Sequence, residues 1–231
     1  MTLQHSSAYA TTAGVPALPP VPARTQAAAI APVLRDLRGR AGRSPRSLTF
    51  GAGDVVVVSG LPGSGKSTLI RRAASASRID SQDTRDRWDT RMPRFLPYAV
   101  YRPFVRYMHY VGLRRALRSG ESVVVHDCGT QAWVRRWLAR EARRRGSALH
   151  LVLLDVAPKV ARQGQRERGR GVSGYAFARH RRATARLISD AESGLLPAGC
   201  SAAVLLDRAA ATTLTRMGFA ATESPEPPLL P

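Results

Sequence analysis

A nine-residue stretch, Gly60-Leu61-Pro62-Gly63-Ser64-Gly65-Lys66-Ser67-Thr68, carries the residue types needed to hold a polyphosphate. Glycines at 60, 63 and 65 permit backbone conformations that a side chain would obstruct. Successive N–H groups can then turn inward around a β-phosphate, with the start of a helix adding a favourable dipole. The spacing matches G-x-x-x-x-G-K-[S/T] in full. In that arrangement Lys66 bridges the β- and γ-phosphates, the Ser67 hydroxyl ligates Mg²⁺, and Thr68 contacts the α-phosphate. Only Lys66 and Lys159 are lysines among 36 basic residues, so one of two falls at the phosphate position. The expected ligand is ATP with Mg²⁺. No Asn-Lys-x-Asp segment for reading guanine is present, which favours ATP over GTP.

A second carboxylate is needed to face the metal. Val123-Val124-Val125-His126-Asp127 is an apolar run ending in aspartate, and Asp155 and Asp207 end similar runs. Asp127 is preferred because the small loop Cys128-Gly129-Thr130 after it leaves room for a substrate. His126 should alternate away from that site, as a satisfied sheet histidine. A plain strand-ending aspartate is the alternative for Asp127.

These residues must be positioned by an alternation of apolar runs and helical stretches. Asp54 to Ser59 reads as a strand buried on both faces. A helix over about 66–76 follows, then a short strand at 78–80 and a helix from Pro103 to Gly120. A third strand runs over 122–127, a helix over 132–145, and a fourth strand over 149–155. Two basic helices, 158–168 and 175–188, flank Gly169-Arg170-Gly171, and a fifth strand spans 202–207. The expected architecture is a three-layer α/β domain of the P-loop NTPase type. Its sheet should be mainly parallel and five-stranded, in the order 2-3-1-4-5, with a helical lid.

Residues 1–46 read as a disordered, basic, Ala/Pro-rich tail with at most one short helix at 27–37. The domain proper should span 47–220, followed by a proline-rich tail at 221–231. Phe104, Tyr107, Met108 and Val111 share a helical face expected to pack on the sheet, a base-stacking platform being the alternative. Trp133 and Trp137 are likewise expected in the core.

The net charge of +20 admits two readings, a solvated arginine-rich surface or non-specific binding of nucleic acid. Two distant cysteines exclude a disulfide framework. No apolar run is long enough to span a bilayer, and no secretory leader is evident, so no membrane partner and a cytoplasmic location are expected. Nothing in the sequence sets the oligomeric state.

Residues 54–190 resemble the small P-loop kinases related to 5′-polynucleotide kinase, with zeta toxins and chloramphenicol phosphotransferases as cousins. The likeness rests on the loop at 60–68, on Ile79-Asp80-Ser81-Gln82-Asp83-Thr84-Arg85, on the strand ending at Asp127, and on the strand 149–155 with the following arginines. The resemblance implies a general base in the 79–85 segment, a substrate-holding Arg85, and lid arginines among Arg162, Arg166, Arg168 and Arg170, with Arg168 the catalytic candidate. In the polynucleotide kinase pattern a carboxylate stands three residues before the arginine. Here that place is Gln82, which leaves Asp80 and Asp83 as the two candidates. Both also suit a helix N-terminus, where negative charge is favoured.

The leading expectation is therefore a kinase moving the γ-phosphate of ATP to a hydroxyl on a small molecule or a nucleic-acid end. An ATP-hydrolysing switch and a nucleic-acid-binding ATP sensor are the alternatives.

Overall fold

The computed structural model describes residues 33–40, 42–79, 98–127, 130–169 and 171–220. Chain order begins with β1 (Val33–Asp36), β2 (Ser47–Phe50), β3 (Val55–Gly60), α1 (Lys66–Ala73) and β4 (Ser77–Ile79). Then come α2 (Tyr98–Arg118), β5 (Val123–His126), α3 (Ala132–Arg144), β6 (Leu149–Leu154) and α4 (Pro158–Arg166). The series closes with α5 (Gly174–Glu192), β7 (Ala202–Leu206), α6 (Arg208–Thr213) and β8 (Arg216–Phe219).

The main sheet has the order β1-β7-β6-β3-β5-β4, and every pairing in it is parallel. Its last five strands, read from the β4 edge, give the expected order 2-3-1-4-5. The valine run explains why β3 is central. Val55 and Val57 pack on one face with Leu113 of α2, Leu138 of α3 and Leu187 of α5. Val56 and Val58 pack on the other with Leu69 and Ile70 of α1, Ala210 of α6 and Met217 of β8. A strand covered on both faces has no solvent side to mark with polar residues, hence four valines in succession.

Three expectations need correction. The tail expected to run to residue 46 instead supplies a sixth strand, β1, paired with β7 from Val33↔Ala202 to Asp36↔Leu205. The short helix proposed for residues 27–37 is therefore a strand over its described part. Arg38 fastens this segment, donating to Asp36 (2.6 Å), Asp155 (2.7 Å) and Glu192 (2.7 Å). Secondly, β2 and β8 form a separate parallel pair covering the α1 face, with Leu48 and Phe50 turned inward. Thirdly, α2 begins at Tyr98 and carries Pro103 within it, at the cost of one helical hydrogen bond.

The aromatic face of α2 also points the other way. Val105, Leu113 and Leu117 are buried, whereas Phe104, Tyr107 and Val111 are exposed, Tyr107 at 65%. Trp133 is half exposed and Trp137 only packs against the core margin. Tyr110 joins them, with its ring 5.3 Å from Trp133 and 6.4 Å from Trp137.

At the amino end of β3, the buried Asp54 accepts hydrogen bonds from Gly51 N (2.7 Å), Ala148 N (2.8 Å) and His150 Nε2 (2.7 Å). Burial alone would raise this carboxyl, but the His150 bond and the two amides outweigh it and hold it below the usual carboxylate value. A depressed native value means stability present above the ordinary carboxylate range and lost as pH falls through the native value. Thermal unfolding should therefore show a loss of stability below about pH 4. In Asp54→Asn that slope should flatten, with lower stability at neutral pH.

Candidate active site

The loop after β3 turns at Ser64, whose N–H donates to the Leu61 carbonyl (3.0 Å). Gly63 and Gly65 have φ of +85° and +97°, the left-handed region that a side chain disfavours. Gly65 is also the residue that opens α1, so the loop's amides and the helix start are contiguous. Lys66 is only 4% exposed, and its ammonium donates to the carbonyls of Gly60 (2.8 Å) and Leu61 (2.7 Å). Ser67 is buried beside it. Among the described residues the buried Ser64 hydroxyl has no hydrogen-bond partner, nor has that of Ser59 one residue before the loop. Glycines without side chains, an ammonium and an unused hydroxyl make a set of donors suited to phosphate oxygens, so the loop fits the polyphosphate of a nucleotide.

Helix α4 lies directly on this loop. An added side chain at Gly63 would run into the Ala161 carbonyl, and one at Gly164 would come 2.6 Å from the Gly63 carbonyl oxygen. The two backbones therefore touch where both residues are glycine. The Gln165 amide completes the join, donating to the Pro62 carbonyl (2.8 Å) and accepting from Val172 N (3.1 Å). Leu61, Ala161 and Phe177 form a small buried cluster beneath. Past the end of α4, Arg168 donates to Thr68 Oγ1 (3.0 Å). Gly63, Gly65, Thr68, Arg72, Arg168 and Arg208 surround a cleft of about 190 Å³ there.

Of the lid candidates, Arg168 meets the phosphate loop. Arg162 instead stacks over Phe177, 4.8 Å from the ring centroid, and with Arg166 lines an outer groove. Arg170 lies outside the described residues, as do Asp80, Asp83, Arg85, Cys128 and Gly129.

The three strand-end aspartates stand at the carboxyl edge of the sheet, each differently engaged. Asp155 pairs with Arg38, and its side chain is 42% exposed. Asp207 caps α6 through Ala210 N (2.7 Å) and accepts from Gly39 N (2.8 Å). Asp127 is 8% exposed and its N–H donates to Val58 O (2.9 Å), which sets it beside the end of β3. Its Oδ2 accepts from Arg135 Nη1 at 2.9 Å, and Arg135 is itself 6% exposed.

Arg135 was not singled out from the sequence, although a signal existed. Val134, Leu138, Ala139 and Ala142 form the buried stripe of α3, and Arg135 falls within it. A charged residue inside an apolar stripe needs a buried partner, and the strand ending just before the helix supplies one. Gln165 was also missed, since a glutamine in a basic helix carries no distinguishing pattern.

Among the described residues no helix is long and apolar enough to cross a membrane. A family model described as "AAA domain" matches residues 55–191. No curated protein matches the chain. Among solved structures, one match is the tunicamycin resistance protein of Deinococcus radiodurans, 18% identical, covering 55% of this chain and 78% of that one, with a TM-score of 0.37. Another is described as "a putative kinase" from Chloroflexus aurantiacus J-10-fl, 15% identical, covering 68% and 85%, with a TM-score of 0.44.

Proposed function

Because the chain belongs to the AAA domain family, in the branch of small P-loop kinases that its loop and strand pattern resemble, we propose that it is a phosphotransferase moving the γ-phosphate of ATP to a hydroxyl. Nucleotide binding follows from the family and the loop. The transfer reading rests chiefly on one observation: a second element brings the guanidinium of Arg168 to Thr68, at the start of α1.

The roles follow from the chemistry of phosphoryl transfer, which needs charge neutralisation and alignment more than covalent participation. Loop amides and Lys66 hold the polyphosphate and take up charge developing between the β- and γ-groups. Bound between Ser67 and Asp127, Mg²⁺ would supply further neutralisation of the phosphate oxygens. Arg135 holds one oxygen of Asp127 and so fixes how the carboxylate is presented. Arg168 supplies a further cation beside Thr68. In this reading Asp80 or Asp83 accepts the proton of the acceptor hydroxyl, and Arg85 holds the acceptor.

The test is a screen with γ-labelled ATP across sugars, small phosphomonoesters such as glycerol 3-phosphate, nucleosides, antibiotics and nucleic-acid ends, with Lys66→Ala as the control. Label should pass to an acceptor in the wild-type protein and not in the control. Release of free phosphate at a rate indifferent to every acceptor would contradict transfer and leave an ATPase.

A further inference from the structure

Thr130, Ala132 and Arg135 at the start of α3 face the middle of α5 across a pocket of about 340 Å³. From α5 come Arg179, Arg182 and Arg186, spaced three and four apart so that they share one helical face. Asp190 is the carboxylate among the described lining residues. Like charges gathered on one face repel each other, and none of these three arginines has an ion pair among the described residues. Arg135 adds a fourth guanidinium, one that is buried rather than surface-borne. Its Nη1 is held by Asp127, while its Nε is buried without a hydrogen-bond partner among the described residues. A buried guanidinium edge left unsatisfied costs stability unless something accepts from it.

We propose that this pocket binds the phosphate of the acceptor, and hence that the acceptor is a small phosphomonoester bearing a free hydroxyl. This rests on the phosphotransferase reading above and names its substrate class. Once Asp127 and Asp190 are set against the four guanidinia, an excess of two positive charges remains, which matches a phosphomonoester dianion. Planar guanidinium forks pair with phosphate oxygens in a way that point charges do not. The floor is apolar, from Ala132, Ala183 and Leu187, and leaves space for a compact carbon skeleton. An internal phosphodiester of a nucleic acid carries one charge and continues in both directions, so it fits this pocket less well. Arg135 links the pocket to Asp127, so that an anion seated there lies beside the carboxyl end of β5, which pairs with β3.

The probe is glycerol 3-phosphate, titrated calorimetrically into the full chain with Mg-ADP already saturating the phosphate loop. The wild type should bind it saturably. Arg182→Ala/Arg186→Ala should weaken that binding by about tenfold or more, while ATP affinity stays within about twofold. Both arginines are exposed on α5, so the fold should survive, and the Lys/Lys double variant should fall between the two. Absence of binding by the wild type would overturn the proposal. So would an unchanged affinity in the Ala/Ala variant, or a parallel loss of ATP affinity, which would assign the arginines to the nucleotide. Displacement of glycerol 3-phosphate by a short oligonucleotide lacking terminal phosphates would assign them to nucleic acid and overturn it too. Since the titration needs no turnover, failure of the label screen would refute transfer without altering this readout. Conversely, a neutral acceptor in that screen with no binding here would refute the phosphate pocket alone.

Discussion

Lys66→Ala is expected to lower the rate of phosphoryl transfer by roughly a hundred- to a thousandfold at saturating ATP, the loss typical of removing one donor aimed at developing charge. The affinity for ATP should fall less, by about tenfold, because the loop amides remain. Stability should change little, because two effects oppose each other. The ammonium is almost wholly buried and desolvated, which costs free energy, yet it satisfies the carbonyls of Gly60 and Leu61. Removing it leaves those carbonyls to find other partners, at about 1 kcal/mol each, and relieves the desolvation. Initial rates with the acceptor found in the screen, alongside thermal melting, separate the two readouts. A variant that melts far below the wild type would show instead that Lys66 mainly holds the empty loop together.

Arg135→Ala is expected to destabilise the protein by about 3–5 kcal/mol, because it strands the buried carboxylate of Asp127 without its cation. The effect should be conditional on that carboxylate. In Arg135→Leu combined with Asp127→Asn most of the stability should return, since an uncharged pair of similar size avoids the desolvation of both ions. Activity should not return with it, because the metal-facing carboxylate is then gone. Urea unfolding of Arg135→Leu, Asp127→Asn and the double variant gives the coupling directly. A loss of under about 1 kcal/mol in Arg135→Ala would mean that the pair behaves like an exposed one.

How far the sequence spoke depended on whether local pattern and tertiary role coincided. The phosphate loop was legible because its chemistry is local. Nine consecutive residues carry the glycines, the lysine and the hydroxyls, and the valines before them mark a strand covered on both faces. The strand order was expected from the P-loop fold that this loop implies, and the runs themselves marked where most of its strands lie. β1 was not legible, because Val33-Leu34-Arg35-Asp36 is an edge strand of four residues, two of them charged, with Val33 exposed. Its place is decided by pairing with β7 and by the three carboxylates around Arg38, none of them nearby in sequence except Asp36.

The outward face of α2 illustrates a different failure. Phe104, Tyr107 and Val111 have helical spacing and apolar character, but so do Val105, Leu113 and Leu117, and periodicity alone does not say which stripe meets the sheet. The arginines of α5 were hidden by abundance. In a chain where arginine replaces nearly every lysine, Arg179, Arg182 and Arg186 look like a solvated face. Only their shared pocket with the buried Arg135 sets them apart.

The account depends most on the loop at 60–68 gripping a triphosphate, and calorimetric titration of ATP with magnesium into the full chain tests that directly. It predicts saturable heat corresponding to one nucleotide per chain, with a markedly weaker isotherm for Lys66→Ala. No heat of association from correctly folded wild-type protein, or an isotherm untouched by the loss of Lys66, would contradict it.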